Sequence, residues 1–377
     1  RCMFACDKRT PPQERNEKKE PNLTHPIPAL VVGSGFGCRI HVPALRAAGF
    51  EVVGLVGNNP GKTEKRAGQN AIPAWFTDLD EAIAKTGARL VSVATPPSTH
   101  AQLTLKAIAH GCHVVCEKPF AFNSAEAQHM LDAAEKAGVF HMVAHEFRWM
   151  PDRALFGQAI AQGMIGAPRF LVMDQFIPFC ADPETPLPKW WFEAGAGGGW
   201  LGAAGSHMID QIRAWLGEFD TLSANLLLVS DRQADCEDTY SVRFRMKNGV
   251  EGSMQQSAGA WGPPASIWRC AGTHGTVWSE GGKVFVADKA GTRELPVPND
   301  LMLPASPAPA DPNSANRLSH LEIAPFTRFC EALHAGIEGR EMAGSVPIPT
   351  FRDGLASMQI LDAMRASSAD GGALKQV

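Results

Sequence analysis

Apolar and polar positions follow two regimes along this chain, and the change between them falls near Pro151. From Pro28 to Ala144, short apolar runs at 29–32, 51–56, 90–94, 113–116 and 141–144 alternate with helical patterns near 40–48, 62–67, 80–85, 99–110 and 124–137. Strands alternating with helices predict a parallel, doubly wound sheet with helices on both faces. Two runs stop abruptly, one at Thr95-Pro96-Pro97 and one at Glu117-Lys118-Pro119. Both are carboxyl ends of strands, the edge at which open parallel sheets take their ligands.

Beyond Pro151 the period changes. A strand-like run at 168–177 leads into a loop rich in proline and tryptophan, then into the glycines 195, 197, 198 and 199 and a helix. Tyr240, Val242, Phe244 and Met246 alternate with Ser241, Arg243, Arg245 and Lys247, the period of a strand with one buried face. Further strands are expected at 220–230, 250–257, 265–271, 276–287 and 291–297, which makes this second part largely antiparallel. A proline- and alanine-rich loop at 298–314 and helices at 318–335 and 350–369 close the chain. The fold class is α/β, divided into an arm (1–26), a parallel-sheet domain (27–147) and a second α/β domain (148–377). The arm is charged and nearly free of aliphatic residues, so burial cannot offset the entropy of ordering it.

Composition narrows the partners. With 377 residues, 45% of them hydrophobic, the chain can build two cores. A net charge of −4 gives no broad positive field, which argues against nucleic acid and anionic membrane surfaces and for a small-molecule substrate. No run approaches the roughly 20 apolar residues that span a bilayer. The nine cysteines are scattered and lack zinc or redox spacing, so they read as core thiols; a cytoplasmic location and no metal are expected.

The densest chemistry lies in residues 29–49, where an apolar run enters a turn holding Gly33, Gly35, Phe36 and Gly37 and leaves as a helix. Helix-start amides without intrahelical partners favour a pyrophosphate at such a turn. The usual fingerprint places glycine or alanine at its third small position, where this chain has Cys38. An NAD enzyme places an acid near the end of the second strand to hold the ribose hydroxyl. Here stand Gly57, Asn58 and Asn59, followed by Lys62, Lys65 and Arg66. A nicotinamide dinucleotide bound here would be NADP or NAD with a lean to NADP, although the same cations also suit a solvated helix face.

Taken together, the glycine turn with RIHVPAL, then ATPPSTH, GCHVVCEKPF, HEFRWMP, GMIGAP, GGGWLGAAGSHMID and TFRDGLASMQILDAM resemble the glucose-fructose oxidoreductase, inositol dehydrogenase and MocA-like (Gfo/Idh/MocA) family over residues 28–370. The resemblance implies a Rossmann domain, an open-faced α/β domain, a nicotinamide cofactor and hydride transfer to or from a secondary alcohol or ketone of a sugar, polyol or other ring. It makes Lys118 and His207 the candidate catalytic residues. An ammonium can stabilise charge on the substrate oxygen, and an imidazole has a pKa suited to proton transfer. Glu117 orients the lysine or meets the cofactor, and the Lys118–Pro119 bond is a candidate cis bond. Thr95, Pro96 and His100 line the far side of the cofactor pocket. Arg148 reaches the cleft to hold a carbonyl or carboxylate, or else forms a structural ion pair. The commonest pattern has an aspartate four residues before the histidine, and this chain has Ala203 there. Trp149, Trp190, Trp191, Phe192 and Trp200 suit either a substrate wall or a core. A homodimer or homotetramer built on the second domain's sheet is expected. The alternatives are an NADP-binding regulator without turnover, and an enzyme that uses a tightly held cofactor for internal redox or elimination.

Overall fold

A computed structural model describes residues 26–305, 319–340 and 344–377. The expected arm lies outside the described residues except for Pro26, as does most of the later part of the 298–314 loop. Six parallel strands, β1 (Ile27–Val32), β2 (Phe50–Val56), β3 (Trp75–Phe76), β4 (Leu90–Val93), β5 (His113–Cys116) and β6 (His141–Val143), form one sheet in the order β3-β2-β1-β4-β5-β6. Between them run α1 (Val42–Ala47), α2 (Pro60–Gln69), α3 (Leu79–Thr86), α4 (His100–Ala109) and α5 (Ser124–Ala137). The chain reverses its direction of travel across the sheet between β1 and β4, so a crevice opens beyond their carboxyl ends.

Helix starts follow local chemistry. Asn59, Asp78 and Asn123 cap α2, α3 and α5 by accepting the main-chain N–H of Lys62, Glu81 and Glu126. The glycine turn runs into a wide π turn (Gly37–His41), closed by Val42 N–H on the Gly37 carbonyl, before α1 begins. Pro43, which has no N–H to donate, stands directly after that closure.

The second sheet has nine strands. They are β7 (Pro168–Phe176), β8 (Phe219–Leu227), β9 (Thr239–Met246), β10 (Glu251–Ser257), β11 (Ala265–Gly272), β12 (Gly275–Glu280), β13 (Lys283–Asp288), β14 (Gly291–Leu295) and β15 (Lys375–Gln376). Their order is β14-β13-β12-β11-β7-β10-β9-β8-β15, antiparallel except for the β7/β10 pair. The single strand expected at 276–287 is a hairpin, because Gly281 and Gly282 both take positive φ and turn the chain. Helices α6 (Pro151–Ala161), α7 (Ser206–Leu216) and α9 (Phe351–Ala369) pack beside this sheet. The sequence reading lacks α6, β3 and β15.

The last helices tie the layers together. α8 (Ser319–Ile337) packs on the first sheet's side, where Phe326, Phe329 and Leu333 share a core with Ala29, Val31 and Leu45. α9 lies against both α5 and β8.

Candidate active site

Each glycine of the turn has its own reason. Gly33 has φ +118°, and a Cβ there would lie 2.2 Å from the Ala94 carbonyl oxygen, so only glycine lets β1 turn against the end of β4. At Gly37 a Cβ would stand 2.7 Å from Val31 Cγ1, which fixes how closely the helical turn sits on the strand. A Cβ at Gly35 would meet nothing within 4 Å. Two glycines therefore serve packing, and the third leaves a bare backbone on the open side of the crevice. Arg39, two residues after Gly37, has a buried Nε without a hydrogen-bond partner. A bare, glycine-lined helix start beside an unpaired guanidinium nitrogen fits the pyrophosphate of a dinucleotide.

Thr95 and Pro96 follow β4 on the other rim of the crevice. His100 does not line it: the ring is fully buried, with Nε2 2.8 Å from the Thr95 carbonyl and Nδ1 3.0 Å from the Pro119 carbonyl. It holds the turns after β4 and β5 together, which corrects the expectation of a pocket-lining histidine. Asn58 and Lys62 are exposed at the end of β2 and the first turn of α2. Lys62, Lys65, Arg66 and Gln69 border one recess, and the charge of Arg66 reaches Arg39 and Cys38.

The turn after β5 carries Glu117 and Lys118, and the Lys118–Pro119 peptide is cis. Glu117 is 6% exposed. One of its carboxylate oxygens lies 2.9 Å from His41 Nε2, and the other accepts the Lys118 main-chain N–H at 3.2 Å. Burial works to raise its pKa, but the hydrogen bond and charge of His41, with Lys118 and His100, outweigh burial and hold it below the ordinary value. Lys118 leaves the turn on the other side, and its Nζ donates to the Ala203 carbonyl at 2.9 Å.

That carbonyl belongs to a second π turn (Leu201–Gly205) that feeds α7. Gly205 sets the approach, since a Cβ there would press to 3.0 Å from the Tyr240 ring, whereas one at Gly202 would only touch Pro119 Cγ at 3.4 Å. The turn therefore seats between the β5 end and the second sheet, four residues ahead of His207. His207 is 5% exposed, stacked on Phe147 with ring centroids 4.2 Å apart, and edge-on to His145 at 5.6 Å. Its Nδ1 is buried without a partner, as are His145 Nδ1 and Glu146 Oε2. Burial first, then the charges of Lys118, His145 and Arg153, push the His207 pKa well below its ordinary value. Buried polar atoms left unpaired by the protein are where a polar ligand gains most.

Arg148 needs correction. Its guanidinium is spent on protein: Nε and Nη2 pair with Asp210 at 2.8 and 2.6 Å, Nη2 also meets Asp353 at 3.0 Å, and Nη1 donates to the Pro347 carbonyl. It is the structural ion pair: four of its five N–H groups are held by protein, and both carboxylates that face it are protein side chains. The tryptophans divide as well. Trp190, Trp191 and Trp200 form one edge-to-face cluster, whereas Trp149 packs on Phe329 of α8.

His41, Ser92, His145, Glu146 and Glu322 are not singled out in the sequence reading, although His41 falls within RIHVPAL and His145 and Glu146 within HEFRWMP. Glu322, on α8, feels burial first and then Lys118, Glu117 and Arg39, and its carboxyl is pushed up to about 7. Glu146 is raised by burial, then by Glu117. Each of the five is a lone polar residue in an apolar or helical pattern, and only its partners in space mark it.

Two family models match this chain: "Oxidoreductase family, NAD-binding Rossmann fold" over residues 27–145, and the GFO/IDH/MocA C-terminal domain over residues 155–278. The chain belongs to the Gfo/Idh/MocA oxidoreductase family. Within that family it is similar to levoglucosan dehydrogenase of Pseudarthrobacter phenanthrenivorans, 29% identical over 55% of this chain and 58% of that one. It is also similar to D-apiose dehydrogenase of Paraburkholderia graminis, 28% identical over 58% and 57%. The match thus spans less than two thirds of either relative. Among solved structures, levoglucosan dehydrogenase in complex with NADH and L-sorbose superposes with a TM-score of 0.80 at 25% identity, covering 94% of this chain and 99% of that chain. The complex with NADH and levoglucosan gives 0.78 at 26%, covering 93% and 99%. Its parallel Rossmann-like sheet and its larger, mostly antiparallel sheet are those of this family, whose N-terminal model is described as an NAD-binding Rossmann fold.

Proposed function

We propose that the chain oxidises a secondary alcohol on a sugar, polyol or other ring, or reduces the matching ketone, with Lys118 and His207 handling the oxygen and its proton. The observation that carries this reading is convergence. Lys118 Nζ, from the end of a parallel strand, reaches the carbonyl of Ala203, and four residues on from that carbonyl stands a buried imidazole with an unpaired nitrogen. The relatives named for levoglucosan and D-apiose support a cyclic polyol as the substrate class.

The dinucleotide would rest on Gly33, Gly35, Phe36 and Gly37, with Asn58 and Lys62 at its ribose end and Thr95, Pro96 and Glu117 along the rim toward Lys118. When bound, it supplies the hydride acceptor or donor. Lys118 donates a hydrogen bond to the substrate oxygen and stabilises its developing negative charge. His207, kept neutral by burial and neighbouring cations, is free to accept the hydroxyl proton. The lean to NADP rests on Arg66, Lys62 and Lys65 around one recess, with asparagine at the end of β2.

On this reading, residues 27–147 bind nucleotide and 148–377 supply the substrate wall and the subunit contacts. Seven described cysteines are free thiols, six of them buried, which supports a reducing, cytoplasmic setting.

The test is turnover on levoglucosan, D-apiose, L-sorbose and inositols with each nucleotide, read by absorbance of the reduced form. Activity is expected with at least one of these rings, and tighter quenching-derived affinity for NADPH than for NADH. Lys118→Ala should lower kcat by roughly 100- to 1,000-fold, the effect of removing one preorganised donor to a developing oxyanion. His207→Asn should lower it by at least about 100-fold. Wild-type turnover in both variants would overturn the assignment.

A further inference from the structure

Behind Lys118 runs a buried polar chain that the proposed reaction does not itself use. Ser92 interrupts the apolar strand β4 and is 1% exposed, while His41 lies in the first π turn and is 0% exposed. A hydroxyl and an imidazole at such depth are costly unless paired. They pair with each other, Ser92 Oγ to His41 Nδ1 at 2.7 Å, and the ring continues through Nε2 to Glu117 at 2.9 Å. Phe36 and Phe326 pack on the ring, with centroids at 5.6 and 4.4 Å. An ionised Glu117 requires the N–H on Nε2; Nδ1 then accepts from Ser92 Oγ in the neutral ring and donates to it in the charged one. The other Glu117 oxygen accepts the Lys118 main-chain N–H.

We propose that Ser92, His41 and Glu117 form a buried relay that fixes Lys118 in place, with His41 as a positioning residue that links the glycine turn to the lysine. Its catalytic consequence rests on the role given to Lys118 above. Four elements besides the turn itself face Glu117: the π turn before α1 presents His41, α4 presents His100, the turn after β6 presents Glu146, and α8 presents Glu322; Lys118 adjoins it in the chain. Burial disfavours a charged Glu117, and the two carboxyls are themselves raised by it, so the donor on His41, ahead of Lys118 and His100, is what keeps Glu117 ionised and its two oxygens committed.

Two substitutions separate this from a packing role. Glutamine places an amide N–H near the position of imidazole Nε2, whereas asparagine reaches only as far as Nδ1. Turnover uses the sugar identified by the panel above, with levoglucosan as first probe. His41→Asn should lower kcat about 10- to 100-fold, as expected for loss of a hydrogen bond to a buried charge, with nucleotide affinity little changed. The acid limb of its pH profile should move up, because burial then raises the Glu117 pKa unopposed by the imidazole. His41→Gln should restore both readouts, and Ser92→Ala should move the limb in the same direction by less.

A readout without substrate accompanies this. In the wild type, a depressed Glu117 pKa adds stability above the unfolded glutamate value; without its donor the sign reverses. The deficit in Tm of His41→Asn against wild type should therefore widen from pH 4 to pH 7, while His41→Gln tracks wild type. Should His41→Asn not fold, Ser92→Ala and His41→Gln carry the same comparison. An unshifted acid limb and a pH-independent deficit, or a His41→Gln as impaired as His41→Asn, overturns the relay. Lys118→Ala is the separate control: full turnover there defeats the site reading, while the Tm comparison still decides the relay.

Discussion

Ala203 gives the site its partner without giving it a charge. The carbonyl that a π turn leaves free accepts from Lys118 Nζ, and the methyl side chain, 8% exposed, adds no field to the imidazole four residues on. Burial first, and then the charges of Lys118, His145 and Arg153, therefore drive the His207 pKa well below the ordinary value. Ala203→Asp would place a carboxylate one turn from His207, a spacing that brings side chains together. It should raise the imidazole pKa, and the acid limb of kcat/KM should move up with it. An unchanged limb would mean that the side chain at 203 points away from the ring. At this scale, the legible residues were those in short sequence signals: Lys118 between a strand end and a proline, His207 after a glycine cluster. Ser92 was not legible, since one hydroxyl in a strand looks the same whether it serves a relay or merely fits. Arg148 shows the opposite failure. Its position by the cleft was readable, but the two aspartates that consume it come from distant parts of the chain.

Elements are held in register by that same ion-pair network. Arg148, in the turn after β6, meets Asp210 of α7 and Asp353 of α9, and Arg213 of α7 meets Asp353 as well. The turn so anchored also carries His145, Glu146 and the Phe147 ring that stacks on His207. Asp353 does a second task, accepting the Thr350 N–H in the capping box of α9. Burial opposes its charge, but Arg148 and Arg213 outweigh burial and bring its pKa from 3.8 to about 2. A depressed carboxylate contributes stability above the unfolded value and loses it as pH falls through the folded one. The shift corresponds to about 2 kcal/mol at neutral pH. Asp353→Asn should lose at least that much in urea unfolding at pH 7, and the deficit should shrink between pH 4 and pH 2. A deficit equal at both ends would assign the loss to the helix cap alone. Parallel strands and amphipathic helices such as α2, α3 and α7 were legible because their apolar period repeats. The α6 helix was not, since its hydrophobic and polar residues are spread around it. The β12–β13 hairpin was hidden because two glycines in an otherwise strand-like run mark a turn as easily as a bulge.

At the scale of the molecule, the nine-stranded sheet presents two unlike faces. Leu171, Met173, Cys270, Val277, Val284 and Val286 point into the core, and their neighbours in each strand point the other way. Register pairing lines Val172, Arg269, Trp278 and Phe285 across four adjacent strands, with Ser253 and Arg243 continuing the row on β10 and β9. Arg269 lies over the Trp278 ring at 5.0 Å, and Trp278 stacks on Phe285. Phe170, Phe176 and Ile267 flank this row, each about half exposed. An apolar and aromatic stripe in an open sheet, edged by arginines and serines, has the composition of a subunit contact. A second copy placed across a two-fold axis would cover it with the same stripe, which is how self-complementary surfaces close. Wild type should therefore sediment as a dimer or tetramer at micromolar concentration. Phe170→Glu combined with Trp278→Glu puts like charges into the face and should shift it toward monomer, while nucleotide affinity holds because the glycine turn lies in the other sheet. A wild type that sediments as a monomer throughout that range would show that this face has no partner in a second copy.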